Sequence, residues 1–140
     1  MKKPSFIDTN IFVYTDDASN PKKQSRAIEL ISQLQESGTG IVSLQVLQEY
    51  FAIATRKLGV PSEIAQRKVE IMGRMPLVRF HLEDVVRAIE LHRLHHISFW
   101  DAMIIHAAHI SGAEVLYSED LQQDWRIGSL RVVNPFRTRS

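Results

Sequence analysis

The sequence predicts an α/β domain with a mainly parallel sheet flanked by helices. Three observations predict it. Short apolar runs alternate with amphipathic helical runs along the whole length, the pattern of βα units rather than of an all-helical or all-strand protein. The 140 residues suffice for one sizeable core, so residues 1–140 read as a single domain. Hydrophobic residues make up 44%, an ordinary globular fraction, yet no apolar run approaches the roughly 20 residues of a membrane span.

The elements follow in order. Ser5–Ile7 reads as a strand, followed by a loop through Pro21. From Lys22 to Ser37, Ala27, Ile28, Ile31 and Leu34 share one helical stripe, and Gly38 and Gly40 end that helix. "IVSL" is a second strand. Leu47, Tyr50, Phe51, Ala54 and Leu58 then recur at spacings of three and four, a helix closed by Gly59 and Pro61. Ser62 opens a further helix carrying Ile64, Ile71 and Met72 to about Met75. "PLVRFH" is a strand, and Leu82, Val85, Val86 and Ile89 mark the next helix. Ser98 opens another, with Met103, Ile104, Ala107 and Ala108 inside and Gly112 past its end. "EVLY" is a strand, "SEDLQQDW" a turn or short helix, and "LRVV" a last strand before Asn134-Pro135.

Composition excludes several classes. There are no cysteines, which removes disulfides, thiolate metal sites and cysteine nucleophiles. Seventeen Lys and Arg against sixteen Asp and Glu leave a net charge of +1, which neither announces nor excludes a nucleic-acid partner. Two lysines open the chain, but Asp8 interrupts the apolar core that a signal peptide needs, so the expectation is a cytoplasmic protein without membrane attachment.

Function is carried by acids in unusual places. Ligands of an open parallel sheet bind beyond the carboxyl ends of its strands. Asp8 directly follows the first strand, inside "SFIDTNIFVY", where an unpaired carboxylate among apolar neighbours is costly. Asp120, with Glu119 beside it, follows "EVLY". Asp101 lies in the first turn of the Ser98 helix, and Glu49 in the first turns of the helix after "IVSL". Each also has an ordinary structural use. Ser98 and Asp101 have capping-box spacing, Ser118 could cap a helix holding Asp120, Glu49 could answer a helix dipole, and Asp8 with Asn10 could close a turn. Together, converging acids without cationic partners call for a hard divalent ion, and a phosphodiester hydrolase is the chemistry such a site serves.

"FIDTNIFVY", "LQVLQEYF", "SFWDAMIIHAA" and "LYSEDLQ", in this order, resemble the PIN domains, and within them the VapC-type toxins of toxin–antitoxin pairs. The resemblance covers essentially the whole chain. It implies a three-layer sandwich around a parallel sheet and a Mg²⁺-dependent endoribonuclease in which Mn²⁺ can substitute. Carried onto these motifs, Asp8, Glu49, Asp101 and Asp120 are the catalytic metal ligands. Thr9 and Ser118 are supporting or substrate-contacting hydroxyls, Asn10 braces the loop, and Glu119 rivals Asp120 as the fourth acid. The resemblance further implies an RNA substrate, a cognate antitoxin and a homodimer, with exposed apolar residues on helices such as Leu47–Leu58 offered as a pairing face.

Three rivals were set against this reading. His92, His95, His96, His106 and His109 have spacings that could bind zinc or manganese, but the stripe through Val86 and Ile89 leaves them on solvated or half-buried faces. Asp8 could be a phosphorylated nucleophile, but Asn10 stands where a haloacid-dehalogenase site needs a second Asp, and "LYSED" lacks the lysine of a receiver domain. A PIN-like module that only binds RNA or protein could use Trp100, Trp125 and Tyr14 for stacking and Arg56, Lys57, Arg67, Lys68 and Arg74 as a basic rim. Aromatics at helical spacing are more often core, and such a rim is more often a solvated face.

Overall fold

The computed structural model describes residues 3–137. It contains β1 (Ser5–Ile7), α1 (Thr9–Tyr14), α2 (Pro21–Ser37), β2 (Gly40–Ser43), α3 (Leu44–Lys57), α4 (Ser62–Met72) and β3 (Leu77–Val78), then α5 (Leu82–His95), α6 (Phe99–Ile110), β4 (Val115–Tyr117), β5 (Arg126–Ile127) and β6 (Leu130–Val133). The sheet order is β3-β2-β1-β4-β6-β5. Every pairing is parallel except β5 with β6. The α/β architecture with a mainly parallel sheet is therefore as expected.

Consecutive burial of Ser5, Phe6 and Ile7 in β1, and of all of β2, shows that both faces of the central strands are covered, which makes three layers. Helices pack in the pairs α1–α2, α1–α3, α3–α4 and α5–α6, and α2, α3 and α6 lie on β2. The core gathers Phe6, Ile7, Ile11 and Phe12 with Val42, Val46, Tyr50, Ile105, Leu116 and Val132. No described helix is long and apolar enough to cross a membrane.

Two expectations change. The loop foreseen from Asp8 to Pro21 is helical over Thr9–Tyr14, because Ile11 and Phe12 bury on one side of a helix and only there reach the core. Residues 126–127 form a two-residue strand that turns through Gly128 (φ +60°) onto β6. Helix α3 buries Val46, Leu47, Tyr50 and Ala54 and leaves Leu44 and Phe51 exposed. A larger exposed apolar set lies on α5, which buries only Ala88 and exposes Leu82, Val86, Ile89 and Leu94.

Candidate active site

β1 delivers Asp8 to the carboxyl edge of the sheet at its centre, between β2 and β4. Asp8 keeps the extended backbone of the strand (φ −75°, ψ 161°) while Thr9 is already helical, so it is the N-cap of α1. Its side chain is 6% exposed. The Thr9 amide donates to Oδ1 at 2.7 Å and the Ser118 hydroxyl donates to Oδ2 at 2.7 Å. Burial pushes the Asp8 carboxyl up to about 7; those two hydrogen bonds oppose the rise, and the charges of Asp120 and Glu49 add to it.

The other predicted residues arrive from separate elements. Glu49, on α3, accepts from the Thr9 hydroxyl at 2.8 Å. Asp120 follows β4; its Oδ2 accepts from Asn10 Nδ2 at 3.0 Å, and its amide donates to Ser118 Oγ at 3.2 Å. Asn10 also accepts from the Glu119 amide at 3.2 Å, tying the start of α1 to the turn after β4. Asp101 sits in the first turn of α6, where the Ser98 hydroxyl accepts from its amide at 3.0 Å. The carboxyl of Asp101 is raised above its ordinary value by burial, against the Ser98 hydrogen bond and with a contribution from Asp120.

Glu119 is differently engaged. It accepts from the Tyr14 hydroxyl at 2.6 Å and forms an ion pair with Lys23, whose ammonium also lies over the Tyr14 ring. Of the two neighbours in "SED", Asp120 is thus the one left without a cation.

Asp8, Glu49, Asp101 and Asp120 line one cavity of about 390 Å³, together with Thr9 and Asn10. Among the described residues, none of these four acids takes part in an ion pair. Carboxylates that crowd Asp8 and Asp101 and raise their pKa, with none of the four in an ion pair among the described residues, suit an oxygen-ligated divalent cation. Among the described residues no group of three His, Asp or Glu is drawn close enough to form a ready-made metal cage. Uncompensated like charges hold apart, and an ion that keeps several waters does not need them to converge fully.

The histidines are spent on local structure. His106 bonds Asp84 at 2.9 Å, His109 bonds the Ile127 carbonyl at 2.9 Å, and His92 contacts the Ile97 carbonyl. One feature escaped the sequence reading, Asn10 as the link between Asp8 and Asp120; Trp100, named as a stacking candidate but expected more often in the core, is 60% exposed on the cavity wall.

The profile of the PIN domain family matches residues 5–124. No curated protein sequence matches the chain. Among solved structures, Mycobacterium tuberculosis VapC20, a sarcin-ricin-loop-cleaving toxin, superposes with a TM-score of 0.66 at 20% identity over 83% of this chain and 89% of that one. A toxin–antitoxin complex from Klebsiella pneumoniae gives 0.68 at 19% identity over 94% and 97%. VapBC2 from Rickettsia felis, bound to a promoter DNA fragment, gives 0.65 at 22% identity over 91% and 96%. These likenesses establish the shared fold.

Proposed function

Since the chain belongs to the PIN domain family, we propose that it is a metal-dependent endoribonuclease whose site is the acidic quartet at the sheet edge. The observation that carries this reading is the set of Asp8, Glu49, Asp101 and Asp120 on one cavity, none of them in an ion pair among the described residues. These four would hold Mg²⁺, or Mn²⁺ in its place. The chemistry a bound ion supplies is Lewis-acid chemistry: neutralising the acids, activating a water and offsetting charge on a phosphodiester.

The chain's own residues then have defined tasks. The Ser118 hydroxyl and the Thr9 amide orient Asp8 from opposite carboxylate oxygens. Thr9 turns Glu49 toward the cavity, and Asn10 holds Asp120 against the same edge. Every one of these supports is a hydrogen bond from a neutral donor, so none of them brings a positive charge that would compete with the ion.

The experiment is incubation of purified protein with labelled total RNA in Mg²⁺, in Mn²⁺ and in EDTA, beside Asp8→Asn. Cleavage should require the ion and fall by about 10³-fold or more in the variant, which should keep its folded circular dichroism spectrum. Full activity in Asp8→Asn would remove the mechanism. The spacing of the acids favours one second reading, a PIN-like module that binds RNA or protein and cuts weakly. Metal-independent RNA retention without cleavage is the result that reading requires.

The toxin–antitoxin assemblies among the structural neighbours support a toxin role with a cognate antitoxin as partner, and we place its action in the cytoplasm. A homodimer formed through the apolar face of α5 completes the proposal.

A further inference from the structure

We propose that Trp100 is a stacking platform that seats one unpaired base of a single-stranded RNA beside the acids, a step that rests on the ribonuclease reading above. Trp100 precedes Asp101 directly and lines the same cavity. It stands one helical turn before Ile104, in the register of the buried face of α6, where Ala102, Ile104, Ile105, Ala107 and Ala108 are all inside. At the helix start that register runs past the sheet edge and out over the cavity, so the indole remains 60% exposed. Phe99 braces it edge-to-face, with centroids 5.3 Å apart and 64° between the planes. The other aromatic candidates are committed elsewhere: Tyr14 packs on Phe136 and bonds Glu119, and Trp125 packs on His95.

Two neighbours on the cavity wall complete a nucleotide's needs. Gln45 Oε1 is buried without a hydrogen-bond partner, while its amide nitrogen donates to the Trp100 carbonyl at 3.5 Å. A buried acceptor left unmatched is costly, and a base-edge N–H brought in by stacking would satisfy it. Lys57, exposed and without an ion-pair partner among the described residues, lies on the cavity wall from α3. It can meet a flanking phosphate. A cavity of about 390 Å³ lies in the size range of sites that enclose a small ligand, about 300–1,000 Å³. Stacking on an aromatic and base-edge bonding both require an unpaired base, which makes the substrate single-stranded RNA or a loop.

The test uses full-length protein carrying Asp8→Asn, so that the strand stays uncut in Mg²⁺, and Trp125→Phe, so that Trp100 is the sole reporter. A short, labelled, mixed-sequence single-stranded oligoribonucleotide is titrated while its anisotropy and the tryptophan emission are followed together. The expected result is quenched emission on binding, with Trp100→Ala weakening affinity roughly 10- to 100-fold, the size of one lost base–aromatic stack. Trp100→Phe should retain most of the affinity. Tryptophan emission unchanged on binding in the parent, together with unchanged anisotropy-derived affinity in Trp100→Ala, would overturn the stacking role and leave the ribonuclease reading intact. Absence of strand binding by folded protein, together with absence of cleavage of total RNA, would overturn both. A fall in oligomeric mass in Trp100→Ala with RNA affinity unchanged would assign the indole to a protein contact and overturn the proposal.

Discussion

On the proposed reading Asp8 carries two demands that oppose each other: it must be ionised to bind a cation, and it is buried where ionisation is costly. Its carboxyl is raised from 3.8 to about 7, so between those values the native state holds a proton that the unfolded chain has released. The stabilisation from that proton is fully present below pH about 4 and is lost as pH rises through about 7. At about 1.4 kcal/mol per pKa unit, the swing is on the order of 4 kcal/mol in metal-free protein. Asp8→Asn should remove it. In EDTA the variant is expected to melt several degrees above the parent at pH 8, with the gap narrowing toward pH 5; a gap independent of pH would contradict the assignment. Protons and cations compete for the same oxygens, so the Mg²⁺ concentration for half-maximal cleavage should climb as pH falls through about 7, read from initial rates. That Asp8, Asp101, Glu49 and Asp120 would meet on one cavity was legible because each sits at a strand end or an early helical turn. The part of Asn10 was not, because its partner Asp120 lies 110 positions away and only the fold brings them together.

The short helix α1 shows how tertiary burial overrides local preference. Thr9, Asn10, Ile11 and Val13 are weak helix formers, and "DTN" reads as a turn, yet burying Ile11 and Phe12 decides the outcome. The β5–β6 hairpin was readable in principle, since Gly-Ser between two β-prone pairs is a two-residue turn signal, but a strand of two residues leaves no periodicity. Helix α2 ends as its sequence indicated. Gly38 takes φ +70° at the C-cap, its amide bonding the last turn, and a Cβ there would meet nothing within 4 Å. Gly38→Ala should therefore cost only the backbone penalty, about 1–2 kcal/mol in chemical denaturation, and leave cleavage unchanged. Helix α5 makes a different prediction. Leu82, Val86 and Ile89 are 77%, 47% and 39% exposed at helical spacing. If they form the homodimer face, Leu82→Glu with Ile89→Glu should halve the mass in sedimentation without unfolding the chain, and an unchanged dimer would place the interface elsewhere.

The fold as a whole was legible because alternation of strand and helix is a property of the entire chain and tolerates errors at any one boundary. The strand order was less so: nothing local says that β4, distant in sequence, inserts beside β1, with β6 on its other edge. That order also has a temporal meaning. β1 and β2 emerge early during synthesis, but Asp101 and Asp120 belong to the last third of the chain, and β4 gains its outer neighbour only when β6 has appeared. A nascent polypeptide bearing Asp8 and Glu49 has half a quartet and an unfinished sheet edge. On the reading proposed above, such a nuclease stays inert until this last third has emerged and joined the sheet.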